Sequence, residues 1–463
     1  MKKLLLPVFI LLAINLQSQP INEAFNSAFK KLSGDALFAH STISLFVMNT
    51  TTGKKVTEVN TEIGVAPASC QKVITASTAF ELLGPGYFYK TTLGYSGKIV
   101  NGVLNGDIII KGSGDPTLGS WRYKQTSEEN IIEAFKEAVS QQGINEITGH
   151  VYADESLWND EATPNGWIWQ DIGNYYGAGA RALNWRENQY DLYLKSGKKI
   201  GDPVEKVGTK PPYVNGLNLK VLTTSAAKGS GDNAYIFMPL NDHYSYARGT
   251  IPVNENHFQI SGAMAHPATE LALTLEASLK KSPVEKIAAA YPDEKNYGTI
   301  NVFYTYTSPV LDSIIFHFLR RSINLYGESL IKTLGFQFTG TGATDSGVNV
   351  IKNFWKKNGI EPSALNIIDG SGLSPANRIT TKTLVTVMEY ARKQKWFPSF
   401  YDALPTINGL KMKSGSIGGV ISYTGFIKSK KGDEYTFAFV INNYDGSGNE
   451  VRRKMWKLLD ILK

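Results

Sequence analysis

The segment PASCQKVITAST, residues 67–78, places Ser69 and Lys72 three positions apart where an apolar run begins. Residues i and i+3 of a helix are neighbours on its surface, so this spacing brings a hydroxyl beside an amine. The spacing alone says little, because Ser-x-x-Lys occurs six times in the sequence, starting at Ser27, Ser69, Ser196, Ser225, Ser278 and Ser329. Whether the Ser69 copy indicates a functional pair must therefore be judged from its surroundings and from the rest of the chain.

The sequence on either side of Ser69 has the pattern of an α/β domain. Residues 21–35 predict a short amphipathic helix, and residues 43–60 predict two strands joined by a turn at Thr52–Lys54. The Ser69 helix then ends at the glycines of Gly84–Gly86. It should bury one side through Val73, Ile74, Ala76, Phe80 and Leu83.

The pattern of residue types changes twice further along the chain. Short β-like segments with Gly, Asn and Asp between them fill residues 90–290, and helical periodicity returns after residue 295. Three strands and a last helix close the chain. We therefore predict one α/β (α+β) domain from residues 20–92 and 295–463, with a β-rich insertion over residues 93–294. Gly112–Asp115 lacks the Lys-Ser/Thr of a phosphate loop and predicts a strand-to-turn transition.

Composition favours an exported globular protein. Residues 1–19 combine Lys2 and Lys3 with an apolar core at Leu4–Leu16, the pattern of a secretory signal peptide, and no second apolar stretch has transmembrane length. The formal net charge of +7 is spread over the chain apart from RRKMWK (452–457), which we interpret as the solvated face of the last helix. No motif supports nucleic-acid binding, and the single cysteine, Cys70, excludes an intrachain disulfide.

A serine beside a lysine can form a nucleophile without histidine. A desolvated lysine near a second cation has a lowered pKa, and its neutral amine can accept the serine proton. The six histidines show no metal spacing, and no Gly-x-Ser-x-Gly elbow is present. Cys70 is interpreted as a small buried hydrophobe, with a nucleophilic role as the alternative.

Two further short motifs supply the groups that a Ser-Lys pair needs. Ser322 and Asn324 lie in a predicted break between two helices, where a turn can aim both side chains into one cleft. Lys413, Ser414 and Gly415 lie on a predicted strand, and a glycine there lets a substrate backbone approach closely.

These three elements, in this order, resemble the Ser-x-x-Lys, Ser-x-Asn and Lys-Thr-Gly set of the penicillin-recognising serine enzymes. With GDIIIKGSGDPTL, SINLYGESLIKTLG and DGSGLSPANRIT also in order, nearly the whole chain resembles the D-alanyl-D-alanine carboxypeptidase/endopeptidase family of the penicillin-binding protein 4 type, the S13 peptidases. The resemblance implies a penicillin-binding/serine β-lactamase-like transpeptidase fold, an antiparallel sheet flanked by helices with a two-part insertion. It also implies peptidoglycan stem peptides as substrates, β-lactams as covalent inhibitors, a cell-envelope location and no cofactor.

The resemblance implies a role for each motif residue. Ser69 would be the acylated nucleophile and Lys72 its general base, while Ser322 and Asn324 relay protons and hold the substrate amide. Lys413 would raise the local positive potential and, with Ser414, bind the terminal carboxylate. The oxyanion would lie between the backbone N–H groups of Ser69 and Ser416, beside Gly415. Asp154 and Trp158 match positions at the family's side-chain pocket, and a turn-capping role is the alternative for Asp154.

The chain departs from the family pattern at four positions. Ser414 replaces a threonine and Ile323 an aspartate, and both changes keep the functional hydroxyl and amide groups. Pro375 stands where relatives that grip diaminopimelate have an arginine, for which Arg378 is a candidate substitute, and Gly418 replaces a polar residue. These departures weaken the expected recognition of a diaminopimelate side chain.

Two other function classes compete with a DD-peptidase. A β-lactamase would need a deacylating group, and the sequence has no class-A-type Glu-x-x-Leu-Asn stretch. A catalytically silent wall-binding protein is expected to have lost a motif residue, and none is missing. The balance of carboxypeptidase and endopeptidase action and the oligomeric state are left open.

Overall fold

The computed structural model describes residues 21–159, 161–240, 243–289 and 298–463. The predicted signal peptide over residues 1–19 lies outside these ranges. Within them, no helix has the length and apolar character needed to cross a membrane.

Twelve α-helices and twenty strands are formed by the described residues. The helices are α1 (Ile21–Ser33), α2 (Lys72–Leu83), α3 (Glu128–Gln141), α4 (Trp169–Ile172), α5 (Pro267–Lys280), α6 (Val284–Ala289), α7 (Leu311–Arg321), α8 (Asn324–Thr339), α9 (Thr344–Lys357), α10 (Thr381–Arg392), α11 (Phe397–Ala403) and α12 (Gly448–Leu459). The strands are β1 (Thr42–Asn49), β2 (Lys55–Val59), β3 (Lys90–Val100), β4 (Val103–Lys111), β5 (Glu146–Ile147), β6 (Val151–Asp154), β7 (Gln189–Lys195), β8 (Glu205–Lys210), β9 (Leu219–Val221), β10 (Thr224–Ala226), β11 (Asn233–Phe237), β12 (Ser245–Pro252), β13 (Phe258–Ala263), β14 (Asn301–Thr307), β15 (Leu365–Asn366), β16 (Arg378–Ile379), β17 (Thr406–Ile407), β18 (Leu410–Ile417), β19 (Val420–Lys428) and β20 (Glu434–Asn442).

A six-stranded antiparallel sheet, in the order β17-β18-β19-β20-β1-β2, forms the centre of the main domain. Successive side chains of each strand point to opposite faces of the sheet, and each face packs into a separate hydrophobic core. One core packs the sheet against α1 and α12, through residues such as Phe25, Val451 and Met455. The other packs it against the helices that surround α2. This arrangement confirms the predicted fold class, an antiparallel sheet flanked by helices.

Helix α2 lies deeper than the sequence predicts. Every residue from Lys72 to Phe80 is buried, because the helix contacts α7, α8 and α10 on different sides. The prediction of one buried side is therefore wrong for this helix, whose polar residues are small or hydrogen-bonded inside the core. Thr78, for example, donates its hydroxyl to Ile74 O at 2.8 Å and accepts from Trp355 Nε1 at 2.9 Å.

The β-rich central region has two hydrophobic cores. The first joins the sheet β14-β3-β4-β5, with β6 on β4, to helices α3 and α5. The second lies between the three-stranded sheet β13-β7-β8 and the four-stranded sheet of β9 to β12. Strand β14 pairs with β3 along Asn301–Thr307, so this sheet includes residues beyond 294, the predicted end of the insertion. The division of the chain into domains stays a prediction.

The Gly112–Asp115 segment leads from a strand into a turn at residues 116–118, the predicted strand-to-turn transition. It follows the end of β4 at Lys111, and the buried Asp115 carboxylate accepts from Thr117 N at 2.8 Å and Thr117 Oγ1 at 2.6 Å. Both bonds go to Asp115 Oδ1 and form an Asx turn, in which the side chain satisfies the backbone N–H of Thr117.

Candidate active site

Ser69 lies in a 3₁₀ turn, Ala68–Gln71, that leads into α2. The residue before it, Ala68, has φ 46°, in the left-handed region that L-residues avoid, and the turn is held because Ser422 Oγ donates to Pro67 O at 2.6 Å. Backbone strain of this kind costs on the order of 1–3 kcal/mol and persists only when surrounding contacts over-determine it. The Ser69 hydroxyl of this turn lies 3.0 Å from Lys72 Nζ.

Lys72 is fully buried beside Ser69. Its Nζ lies 3.0 Å from Ser69 Oγ and donates to Asn324 Oδ1 at 2.6 Å and to Ser371 O at 2.7 Å. Burial, followed by the charge of Lys413, holds the pKa of Lys72 well below its usual value. A neutral amine has two N–H groups, which match these two acceptors, and its lone pair is then free to accept the Ser69 proton.

Ser322 and Asn324 lie at the break between α7 and α8, as predicted. Ser322 ends α7 in the left-handed conformation, with φ 59°, and Asn324 is the first residue of α8. The turn places Ser322 Oγ 2.9 Å from Lys413 Nζ and Asn324 Oδ1 on Lys72. Asn324 Nδ2 donates to Tyr176 O at 2.7 Å, which fixes the orientation of the amide. One short turn therefore connects the two lysines.

Lys413 points inward from β18 and is 1% exposed. Its Nζ donates to Ser322 Oγ and, at 2.6 Å, to Ser414 O. Burial lowers the pKa of Lys413 to about 8. Two desolvated ammonium groups in one network repel each other, so a charge on Lys413 favours the neutral form of Lys72.

Gly415 brings β18 against the Ser69 turn. A Cβ at this position would lie 2.7 Å from Ser69 N and 2.4 Å from Ser422 Oγ, so no side chain fits without displacing the turn. The glycine predicted to allow close approach of a substrate is thus also required for packing within the protein.

A pair of buried carboxyl groups, for which no role is predicted from the sequence, lies near Lys72. Glu328 on α8 accepts from Gly370 N at 3.0 Å, and Asp369 accepts from Gly372 N at 2.8 Å and Ser374 N at 2.7 Å. Both carboxyls are fully buried, and burial, followed by the charge of Asp369, raises the pKa of Glu328 above its usual value. Asp369 shapes the loop whose Ser371 carbonyl accepts from Lys72. Both residues lie in segments that carry the family resemblance, NLYGES and DGSGLS, but neither segment by itself indicates a contact with the backbone of a loop.

The Cys70 side chain contacts β18. Its thiol is buried and donates to Lys413 O at 3.2 Å. Burial raises the pKa of the thiol to about 11, so the thiolate is disfavoured at neutral pH. The interpretation of Cys70 as a small buried side chain is consistent with these contacts.

A pocket of roughly 280 Å³ opens over the Ser69 hydroxyl. It is lined by Ser69, Ser322, Ile407, Ser414, Gly415, Ser416, Tyr423 and Arg452. Strand β17 pairs with β18 only through Leu410 and Lys411, so no other strand of the described residues covers the outer edge of β18 beside the pocket. An extended peptide can pair with such an edge through its main chain.

Asp154 and Trp158 do not line this pocket. Asp154 accepts from Ser156 N at 2.9 Å and pairs with Lys111 at 3.3 Å, as a turn-capping residue does. Trp158 is 5% exposed in the core, with its ring 5.7 Å from Lys332 Nζ. Their recognition of a substrate side chain stays a prediction.

Arg378, the proposed substitute for an arginine at Pro375, is engaged locally. Its Nη1 donates to Pro375 O at 2.6 Å and to Asn377 O at 2.8 Å. The guanidinium therefore lies against the backbone of its own loop.

The chain matches the D-Ala-D-Ala carboxypeptidase 3 (S13) family over residues 28–462. The chain belongs to this family. Among curated relatives, it is 24% identical to D-alanyl-D-alanine carboxypeptidase DacB of Haemophilus influenzae over 434 residues, covering 89% of this chain and 88% of that protein. It is also 24% identical to a D-alanyl-D-alanine carboxypeptidase of Actinomadura sp. strain R39, covering 86% of this chain and 77% of that protein. The resemblance proposed from the three motifs is confirmed.

The fold is similar to that of a solved family member. The crystal structure of penicillin-binding protein 4 from Haemophilus influenzae superposes with a TM-score of 0.74 at 22% identity, covering 94% of this chain and 97% of that one. Among the described residues, no group of three His, Cys, Asp or Glu side chains is arranged to hold a metal ion.

The two lysines predict a falling alkaline limb for acylation. If Lys72 acts as a neutral base beside a charged Lys413, deprotonation of Lys413, whose pKa is about 8, removes the cation above that pH. We expect the second-order rate constant for acylation by penicillin to fall by about tenfold per pH unit above pH 8. Stopped-flow measurement between pH 6 and 10 checks this, and a rate that stays level to pH 10 would contradict the assignment of a charged Lys413.

Proposed function

We propose that the protein is an exported serine DD-peptidase of the cell envelope. It cleaves the D-Ala-D-Ala bond of peptidoglycan stem peptides, and D-Ala-diamino acid crosslinks as a second substrate, through a penicillin-sensitive acyl-enzyme on Ser69. The observation that carries the proposal is that one short turn joins two sets of contacts, those of Lys72 with Ser69 and Asn324 and that of Lys413 with Ser322. The carboxypeptidase names of the two curated relatives support the same reaction.

The geometry suggests the order of proton movements. Neutral Lys72 accepts the Ser69 proton as Oγ attacks the carbonyl of the penultimate D-Ala, and the oxyanion forms between Ser69 N and Ser416 N. The C–N bond then breaks, and the leaving amine takes a proton from Lys72 through Ser322. Water hydrolyses the resulting ester, with Lys72 accepting a proton from the water and Ser69 regaining its own.

Lys413 acts in this scheme through its charge rather than by touching the scissile bond. Its Nζ holds Ser322 Oγ in place for the proton relay. Its positive field favours a neutral Lys72 and a developing oxyanion.

The test is product analysis with matched substrates. The purified full chain is incubated with intact peptidoglycan, with muropeptide monomers that end in D-Ala-D-Ala, and with crosslinked dimers. Release of free D-Ala from monomers supports carboxypeptidase action, and conversion of dimers to monomers supports endopeptidase action. If neither product forms and no covalent penicillin adduct is found, the proposal is wrong.

Time-resolved mass spectrometry of the penicillin adduct separates the two enzyme classes. A DD-peptidase holds the adduct for much longer than its turnover time on peptides. Rapid loss of the adduct with multiple turnovers of penicillin would instead favour a β-lactamase.

A further inference from the structure

Arg452 brings a guanidinium from the last helix into the Ser69 pocket. It lines the pocket together with Ser414 and Ser416. Its Nη2 donates to Ser416 Oγ at 3.2 Å, and its Nη1 donates to Asn449 Oδ1 at 3.1 Å. The sequence predicts this residue on a solvated helix face, whereas in the structure it lines the Ser69 pocket.

The position of Arg452 is fixed by the packing of α12. Val451 and Met455 of this helix are fully buried against the central sheet, and Ser447 caps its start by accepting from Glu450 N at 3.2 Å. Arg452 is partly buried at the sheet edge, whereas the adjacent Arg453 is exposed. The neighbouring arginine therefore offers a matched control of the same charge on the same helix.

The guanidinium has no carboxylate partner among the described residues. Lys454 on the same helix pairs with Asp35 and Glu450, but no Asp or Glu of the described ranges lies within ion-pair distance of Arg452. An arginine with only neutral hydrogen-bond acceptors in an open pocket suits a carboxylate, which its planar fork binds through two parallel hydrogen bonds.

The other cation of the pocket region is enclosed. Lys413 is 1% exposed, directs its Nζ to Ser322 Oγ and Ser414 O, and does not line the pocket. A substrate carboxylate over Ser414 would therefore not contact the Lys413 ammonium directly, because Ser322 Oγ and Ser414 O already accept its hydrogen bonds. Arg452 is the cation whose donors reach the pocket side of Ser416.

We propose that Arg452 is the specificity-determining residue that binds the terminal carboxylate of the leaving D-amino acid, together with the hydroxyls of Ser414 and Ser416. The inference rests on the proposed DD-peptidase function and assigns its carboxylate subsite. The same contact receives the carboxylate of a penicillin, because that group lies at the corresponding distance from the scissile carbonyl.

The test compares Arg452→Gln with Arg453→Gln in the full-length protein. Each variant and the wild type is assayed for kcat/KM on an acyl-D-Ala-D-Ala peptide and on the same peptide with a C-terminal amide. We expect Arg452→Gln to lose about 10- to 100-fold on the free acid, the range for a hydrogen-bonded charge, and to stay within a few-fold on the amide. Arg453→Gln should behave as wild type on both.

A second pair of probes covers the case in which the amide is not cleaved at all. Acylation rates are measured with penicillin G and with its methyl ester. Arg452→Gln should slow acylation by the acid and leave that by the ester unchanged, and Arg452→Lys should recover part of the loss. If Arg452→Gln keeps the wild-type preference for the acid in either pair, the subsite assignment is wrong. A wild type that neither cleaves peptides nor is acylated would instead overturn the proposed function.

Discussion

Replacing Ser69 with alanine is expected to abolish covalent labelling by a fluorescent penicillin and to lower kcat on D-Ala-D-Ala peptides by roughly 10⁶-fold, as loss of a serine nucleophile does in other hydrolases. The physical reason is local. Ser69 lines the pocket, and its Oγ lies 3.0 Å from the Lys72 amine. Lys72 keeps its contacts with Asn324 and Ser371 in the variant, so the thermal unfolding temperature should change by no more than a few degrees.

Cys70→Ala is the matched control for this experiment. Cys70 is adjacent in sequence, but its thiol is buried, donates to Lys413 O and has a pKa raised to about 11. The variant should keep its labelling and activity. Labelling that persists in Ser69→Ala and disappears in Cys70→Ala would move the nucleophile to the thiol. Peptide mapping of the adduct by mass spectrometry decides between the two.

The motif residues were predictable because each motif carries its own chemistry and local conformation. Ser322 and Asn324 could be placed in a turn, since a continuous helix would separate their side chains by about 200°. Lys413 and Gly415 could be placed on a strand, and the structure has both features. What the motifs could not give was the distance between them, because 252 positions separate Lys72 from Asn324.

Other features of the site were beyond sequence analysis for a physical reason. Glu328 and Asp369 act through backbone groups of a loop, and a glutamate on a helix gives no sign that it will bind the N–H of Gly370. Arg452 belongs to a basic run in which Arg453 and Lys457 are exposed to solvent. Only the packing of α12 on the sheet decides which of the two arginines contacts Ser416. The burial of α2 on all sides follows from three neighbouring helices that local periodicity cannot place.

Replacing Lys72 with arginine is expected to lower the rate of acylation by penicillin by about 10²–10⁴-fold, although the charge is kept. The proposed mechanism needs a base that is neutral before the reaction, and burial together with Lys413 holds the pKa of Lys72 well below its usual value. Arginine cannot be deprotonated in a protein, so its guanidinium cannot accept the Ser69 proton. Loss of a general base typically costs about this factor in rate. Stopped-flow acylation kinetics measure it directly.

Lys72→Met separates the base from a purely electrostatic role. Methionine fills the same space without an amine, so a base role predicts that both variants are inactive, whereas an electrostatic role predicts that arginine retains activity. Their stabilities should also differ. Arginine places a permanent charge at a fully buried position near Lys413, which is strongly unfavourable, while methionine leaves only the oxygens of Asn324 and Ser371 without their donor. We expect the arginine variant to unfold at the lower temperature. Acylation by either folded variant within a few-fold of wild type would show that Lys72 is not the base, and the proton would then have to leave Ser69 through Ser322, whose hydroxyl is held by Lys413.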